Sequence, residues 1–257
     1  MSGKITAYLV VGGKYHDMDF ARLELLKLLA ENERIRTIVA PDYNDIDGIR
    51  EADFLITYTC DVTPPQDIQL ALKDYVSTGK TWFALHGTNS ILRFLEDGSV
   101  SSPREAPVLM ETLGSQFIAH PPIEPYTVTV SDPDHPLVKG VEPFEATDEL
   151  YLCDYHGDLH ALLETEFNGK APGFVDEDWS DNEKRLVYYT HSVGQGEVLY
   201  LTLGHCRGHY DMVPVTDYYP EIERCSWELP VFYDLLRRGI KWAADGVDKT
   251  RDAVPAV

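Results

Sequence analysis

Three histidines stand where an α/β protein usually does its chemistry. The stretch Trp82–Leu85 is mostly apolar and runs into His86-Gly87, followed by polar Thr88-Asn89-Ser90. This reads as a buried parallel strand that stops at a sharp turn. Ligands in open α/β sheets sit outside the carboxyl ends of the strands, so His86 is expected at the mouth of a crevice. Gly87 would let the backbone take the tight, positive-φ geometry of the turn. His16-Asp17 follows another apolar run, Ile5–Val11, and its Gly12-Gly13 break. His205-Cys206 follows a third, Glu197–Leu203. His120 falls in a fourth loop, and Asp148-Glu149 begins a fifth element. Imidazoles and a carboxylate so placed can exchange protons near neutral pH or hold a divalent metal such as zinc. A single histidine is more often a satisfied structural residue, so the reading rests on convergence. Spacing alone does not supply it. There is no HExxH pair, and Gly204 and Gly208 favour a loop over a helix that would align His205 with His209.

The other reactive side chains carry less. His135, in Asp-His-Pro, suits a structural role, and His156, His160 and His191 have no supporting context. Cys60 and Cys206 also lie just past strand ends, but nothing beside Cys60 suggests an activated thiol. Adjacent His205 and Cys206 point opposite ways in extended chain, which makes a poor nucleophile–base pair. Neither GxGxxG nor GxxxxGK[ST] is present, so no nucleotide cofactor is expected. Tyr15, Tyr151, Tyr155, Tyr210, Tyr218 and Tyr219 gather near the histidine loops. Aromatic, hydroxyl-bearing walls suit a sugar ring, and they equally suit an oligomer contact.

The elements that must position these residues alternate. Strands are expected at Ile5–Val11, Ile35–Ala40, Asp53–Thr59 and Thr81–Leu85. Between the first two, Ala21, Leu25, Leu28 and Leu29 recur at helical spacing over Met18 to Glu31. Asp42–Ala52 reads as a partly helical connection. Thr63-Pro64-Pro65-Gln66 reads as a capped helix start, with Gly79 as its end. Such alternation implies parallel pairing with right-handed crossovers. Ser102-Pro103-Arg104-Glu105 suggests a second capping box opening a helix to Leu113. Strands are expected at Tyr126–Val130, Glu149–Asp154 and Leu159–Phe167. Leu186–His191 and Glu197–Leu203 are expected to form a hairpin across Gly194-Gln195-Gly196. Pro230 opens a last helix that buries Phe232, Leu235, Leu236, Ile240 and Ala243. The expected fold is α/β: one domain over residues 1–247, with a mostly parallel sheet, helices on both faces and an antiparallel C-terminal hairpin. Residues 248–257 read as a flexible tail.

Composition bounds the function. The chain has 257 residues, 44% hydrophobic and 25% charged, enough for a folded globular protein with a sizeable core. Asp and Glu number 43 against 22 Lys and Arg, a net charge of −21. So acidic a surface repels phosphate backbones and anionic bilayers, so neither nucleic acid nor membrane is an expected partner. No secretory leader is expected, and no apolar run reaches spanning length. Four widely spaced cysteines, with no CxxC, suit reduced thiols and a cytoplasmic location. α/β enzymes of this size are often homo-oligomers.

The motifs taken together resemble the trehalose-utilisation, or ThuA-like, family. They are His16-Asp17, Phe83-Ala84-Leu85-His86-Gly87, Gly114-Ser115-Gln116-Phe117 leading to His120-Pro121-Pro122, and Asp134-His135-Pro136. Thr147-Asp148-Glu149-Leu150-Tyr151, Leu203-Gly204-His205 and Gly239-Ile240-Lys241-Trp242-Ala243-Ala244 complete the set, in family order and over nearly the whole chain. The resemblance implies a fold like the class I glutamine amidotransferases (flavodoxin-like). In those enzymes the turn after the fourth strand carries a nucleophilic cysteine. Here it carries His86, which removes the thiolate an acyl intermediate needs, so no glutaminase activity is expected. His205 resembles the counterpart of the later triad histidine. The resemblance implies a step on a sugar or 3-keto sugar (isomerisation, elimination or hydrolysis), with a partner oxidoreductase supplying the oxidised sugar. His86, His205 and Glu149 would be catalytic, and His16, Asp17, His120, Tyr151 and Arg207 would orient substrate. His86, His120 and His205 would hold any divalent metal. The alternatives are a metal-dependent hydrolase of another substrate class, and a non-catalytic sugar-binding or regulatory protein on the same scaffold.

Overall fold

The structure is a computed structural model that describes residues 3–253. The amino-terminal part alternates as expected. Strands β1 (Ile5–Gly13), β2 (Ile35–Ala40), β3 (Phe54–Cys60) and β4 (Thr81–Leu85) are separated by helices α1 (Met18–Ala30), α2 (Ile46–Glu51) and α3 (Gln66–Ser77). Helix α4 (Pro107–Leu113) follows, then β5 (Ser115–Ala119), β6 (Glu124–Val130), β7 (Phe144–Asp148), β8 (Leu152–Tyr155) and β9 (Leu159–Glu166). The hairpin β10 (Lys184–Val193) and β11 (Gly196–Leu201) precedes the last helix, α5 (Pro230–Ala253).

Nine strands form one sheet in the order β2-β1-β3-β4-β11-β10-β9-β6-β7. The first five run parallel. From β11 onward every neighbour is antiparallel. The sheet is therefore mixed with a parallel core, and antiparallel pairing continues beyond the expected hairpin through β9, β6 and β7. The reason is local: turns and loops, with no helix, join these later strands, so right-handed helical crossovers are not available to make them parallel. β5 and β8 pair separately, outside the main sheet.

The period-two geometry of β1 divides the core. Ala7, Leu9 and Val11 pack with Leu25 and Leu28 of α1 and with Leu235 and Ile240 of α5. Tyr8 and Val10 face the other way, onto Leu72 and Val76 of α3 and Leu109 of α4. A strand buried on both faces reads as a near-continuous apolar run, and β3 is buried along its whole length. This layered core fixes the carboxyl ends of β1, β4 and β11 in one row, with β3 between β1 and β4.

Several local expectations are corrected. Helix α3 starts at Gln66 with Pro65 at its N-cap and no side-chain cap. The Gln69 side chain serves the region instead, donating to the Pro64 carbonyl (2.9 Å) and accepting from the Leu109 N–H (3.2 Å). Helix α4 starts at Pro107, because the Ser102 hydroxyl donates to the Ile118 carbonyl (2.8 Å) and caps nothing. The strand expected over Glu149–Asp154 is interrupted: β7 ends at Asp148, β8 begins at Leu152, and Glu149 lies on the turn between. Helix α5 continues to Ala253, so the first part of the expected tail is helical, and residues 254–257 lie outside the described residues. The Asp248 carboxylate forms a two-pronged ion pair with Arg34 (2.7 and 3.0 Å).

Candidate functional site

His86 occupies the turn at the end of β4 with φ 43°, a left-handed conformation that costs an L-residue energy and persists where its surroundings over-determine it. The positive φ expected at Gly87 thus falls on the histidine. Gly87 serves a different need: a Cβ there would stand 2.6 Å from the Thr59 carbonyl oxygen and 2.9 Å from the Cys60 Cβ. The turn is held by Tyr200 of β11, whose phenol donates to the His86 carbonyl (2.6 Å) and accepts from the Asn89 N–H (2.8 Å).

His16, His86 and His205 are all buried, and each places one ring nitrogen against an oxygen. His86 Nδ1 lies 2.7 Å from the Thr202 carbonyl. His16 Nδ1 lies 3.3 Å from the Lys14 carbonyl. His205 Nε2 lies 2.8 Å from Glu223 Oε2. Carbonyl and ionised carboxylate oxygens only accept, so in the neutral rings these nitrogens carry the protons. The other three nitrogens then present lone pairs, and they converge. His16 Nε2 and His86 Nε2 are 2.8 Å apart. Glu149 Oε2 lies 3.4 Å from His86 Nε2, and Glu149 Oε1 lies 3.0 Å from His205 Nδ1. The His205–Glu149 approach is close but misaligned, and Nδ1 has no hydrogen-bond partner. One ligand atom from each of His16, His86, Glu149 and His205 falls within 4.8 Å of every other.

Two lone pairs 2.8 Å apart repel unless a proton or cation lies between them, and a buried carboxylate needs positive charge beside it. Three imidazole nitrogens and one carboxylate are a donor set suited to zinc or a similar divalent ion, and second nitrogens bonded to carbonyl or carboxylate are the usual orienting device around such ions. The residues therefore fit a metal. Electrostatics agree. Burial pushes the Glu149 carboxyl up, but positive charge on the imidazoles of His205, His120 and His86 outweighs it and holds it well below the usual carboxylate range, so the carboxylate calls for a proton or a cation among the rings. Burial, reinforced by His86 and His205, holds His16 well below the ordinary histidine value, so it stays neutral and able to ligate.

Asp148, beside Glu149 in sequence, has a separate job. Its Oδ1 accepts from the N–H groups of Glu149 (2.8 Å) and His205 (3.1 Å). Its Oδ2 accepts from those of Gly204 (2.9 Å) and Ser226 (3.2 Å). One buried carboxylate thus ties the end of β7 to the turn after β11 and sets where Glu149 and His205 stand.

The group opens into a cavity of about 520 Å³ walled by aromatic side chains, among them Tyr15, Phe94, Phe117, Tyr151, Phe174 and Tyr219. The Tyr151 hydroxyl lies 3.2 Å from His86 Nε2, and burial with the Glu149 charge pushes its phenol well above the ordinary value. His120 stands at the edge of the group. Its Nδ1 lies 2.7 Å from the Pro121 carbonyl, and its Nε2 reaches only to 3.5 Å from Glu149 Oε1. The set that could hold a metal is therefore completed by His16 and Glu149, where the resemblance implied His120. Arg207 donates to Glu223 Oε2 (2.8 Å) and to the Tyr15 carbonyl (3.2 Å), and stacks over Tyr219. Ser90 Oγ is buried on the cavity wall, beside the Tyr151 phenol but without a hydrogen-bond partner of normal geometry.

Other expected residues lie apart. Asp17 caps α1 by accepting from the Phe20 N–H (3.0 Å) and pairs with Arg224 (2.9 Å); it does not line the cavity. Cys60 does line it, but burial, Glu149 and Asp61 push its thiol well above the ordinary value, which leaves no thiolate. Tyr210 and Tyr218 are exposed, and Tyr218 stacks on His209. His135 accepts from the Leu137 N–H (3.3 Å) beside His160, consistent with a structural role. Sequence reasoning missed Glu223 and Phe174, and gave Phe117 only as part of a motif with no place at the site. All three come from segments without strong periodicity, and Phe174 follows only a Pro-Gly turn.

A five-stranded parallel core ending in a strand-end turn beneath such a cavity defines a class: the open α/β sheets that carry a site outside the carboxyl ends of their strands. Within that class, a model for trehalose utilisation (ThuA) matches residues 8–218, and the chain belongs to this family. It is similar to a putative ThuA-like protein from Parabacteroides merdae, with 19% identity, 95% of this chain and 91% of that one covered, and a TM-score of 0.61. A putative ThuA-like protein from Bacteroides uniformis gives 16% identity, 94% and 92% coverage, and a TM-score of 0.64. A putative GMP synthase subunit from Thermoplasma acidophilum gives 11% identity, 98% and 100% coverage, and a TM-score of 0.53. At these identities the structures speak to fold alone. No curated protein matches the chain. Among the described residues no helix is long and apolar enough to cross a membrane.

Proposed function

We propose that this protein is an enzyme of carbohydrate metabolism that acts on a sugar or 3-keto sugar at a divalent-metal centre held by His16, His86, Glu149 and His205. One observation carries the reading: three buried imidazoles commit one nitrogen each to a fixed oxygen and aim the other at a common point beside Glu149. A divalent ion there supplies Lewis acidity towards a carbonyl oxygen. A ketone acidifies the proton on the neighbouring carbon, and a base must then be free to take it. His120 suits that part, because its Nδ1 is tied to the Pro121 carbonyl and its Nε2 faces the cavity. The Tyr151 phenol keeps its proton at neutral pH and can donate a hydrogen bond to a substrate oxygen. The aromatic walls offer faces for the C–H surfaces of a sugar ring. A partner oxidoreductase would supply the keto sugar.

Elemental analysis of the purified protein, with His86→Ala and His205→Ala alongside, tests the centre. Near-stoichiometric divalent metal in the wild type, lost in both variants, is expected. A metal-free wild type that takes up no added zinc, cobalt or manganese would remove the metal reading. Turnover of 3-keto disaccharides tests the activity. Binding of the sugar with no product formed would favour a non-catalytic sugar-binding protein.

A further inference from the structure

We infer that Glu223 is a positioning residue for His205: it fixes the imidazole in its Nε2–H tautomer and so leaves Nδ1 free to face Glu149 and the proposed metal. The ligand part of this statement rests on the function proposed above; the tautomer part does not.

His205 lies between two carboxylates. Nδ1 is 3.0 Å from Glu149 Oε1 and Nε2 is 2.8 Å from Glu223 Oε2. A neutral imidazole has one N–H to give. Alignment decides which carboxylate receives it, since the Glu223 contact has hydrogen-bond geometry and the Glu149 contact does not. Glu223 is itself held. Oε2 also accepts from the Arg207 guanidinium (2.8 Å), and Oε1 accepts from the Tyr219 phenol (3.0 Å). Its backbone pairs with Arg207 in both directions, N–H to carbonyl at 2.9 and 3.0 Å, closing the neck of the loop over residues 208–222. That loop brings Met212 and Tyr219 to the cavity wall. The carboxylate that orients His205 is thus mounted on the base of the loop that walls the cavity, so the loop's seating and the ring's proton position are linked. Buried second partners of ligating histidines are worth about 10–100-fold in metal affinity.

The test uses the full chain with 15N-labelled histidine. Nitrogen NMR of the metal-free protein, at a pH where His205 is neutral, reads the tautomer directly. Zinc affinity by chelator competition reads the ligand set. In the wild type His205 is expected as a single Nε2–H tautomer. Glu223→Ala should give a mixture of tautomers and weaken zinc binding about 10–100-fold. Glu223→Gln, whose amide oxygen can still accept, should restore most of the Nε2–H form, which a merely structural role would not predict. Tyr219→Phe removes only the Oε1 contact and should leave the tautomer unchanged. An unaltered Nε2–H tautomer in Glu223→Ala would overturn the inference, as would a wild type in which Nδ1 carries the proton. A wild type that binds no zinc would remove the metal reading while the NMR result still decides the role of Glu223.

Discussion

In the parallel half of the sheet, site residues leave directly from strand ends: His16 just past β1, His86 at the first residue after β4, His205 shortly after β11. In the antiparallel half, Glu149 comes from the turn after β7, and the aromatic walls come from loops and the small β5–β8 pair. The first half holds its side chains on short turns fixed by backbone contacts and layered core. The second lets its contribution vary, since a loop residue can change without disturbing a register. The contrast is one of mounting: three imidazoles stand on turns of the parallel half, while the carboxylate that completes the group and most of the aromatic wall come from the other.

The comparison can be broken in order of expected effect. His86→Ala and His205→Ala should each abolish metal uptake and lower turnover at least 100-fold while the far-ultraviolet spectrum stays native. Retained metal in either variant would take the centre away from the parallel half. Asp148→Asn joins the two halves in one experiment. It replaces a carboxylate oxygen by an amide that cannot accept, facing N–H groups held by the backbone, and urea unfolding should show a loss of about 3 kcal/mol. A loss below about 1 kcal/mol would mean that the four N–H bonds do not clamp the halves together. Phe174→Ala, on the variable side, should leave metal content intact and weaken sugar binding roughly 3- to 10-fold, read by calorimetry. Lys184→Ala removes exposed ion pairs with Glu164 and Glu166 on the neighbouring strand β9 and should shift stability by less than about 1 kcal/mol.

The same division marks what could be read from the sequence. The parallel core was legible because Ile5–Val11 and Asp53–Thr59 are apolar runs, and because Ala21, Leu25, Leu28 and Leu29 repeat at helical spacing. His86, His205 and His16 stood out as strand-end residues for the same reason. Glu149 could be singled out, but not the break that turns it inward, since Leu150, Tyr151 and Leu152 look as strand-like as their neighbours. Roles were harder to read than places, because a residue's loop does not reveal which group its second atom meets: Asp17 caps a helix, and His120 lines the cavity at the edge of the ligand group. Glu223 gave no signal, since its partners lie 16 and 18 residues away in the chain and across a loop of irregular backbone.

The pairing of β4 with β11 has a consequence for the birth of the protein. β4 ends at Leu85, and its neighbour on one side begins only at Gly196. At about 5–20 residues per second, a ribosome needs roughly ten seconds to deliver that neighbour. Throughout this interval the growing chain can build the β2-β1-β3-β4 layer but leaves the inner edge of β4 unpaired, a bare row of N–H and C=O groups in the middle of what will become the sheet. The strand that completes the row of site histidines is also the strand that hides this edge. Truncation before β11 should therefore yield a sticky fragment as well as an inactive one, and the interval between the two strands is when the nascent chain most needs a chaperone.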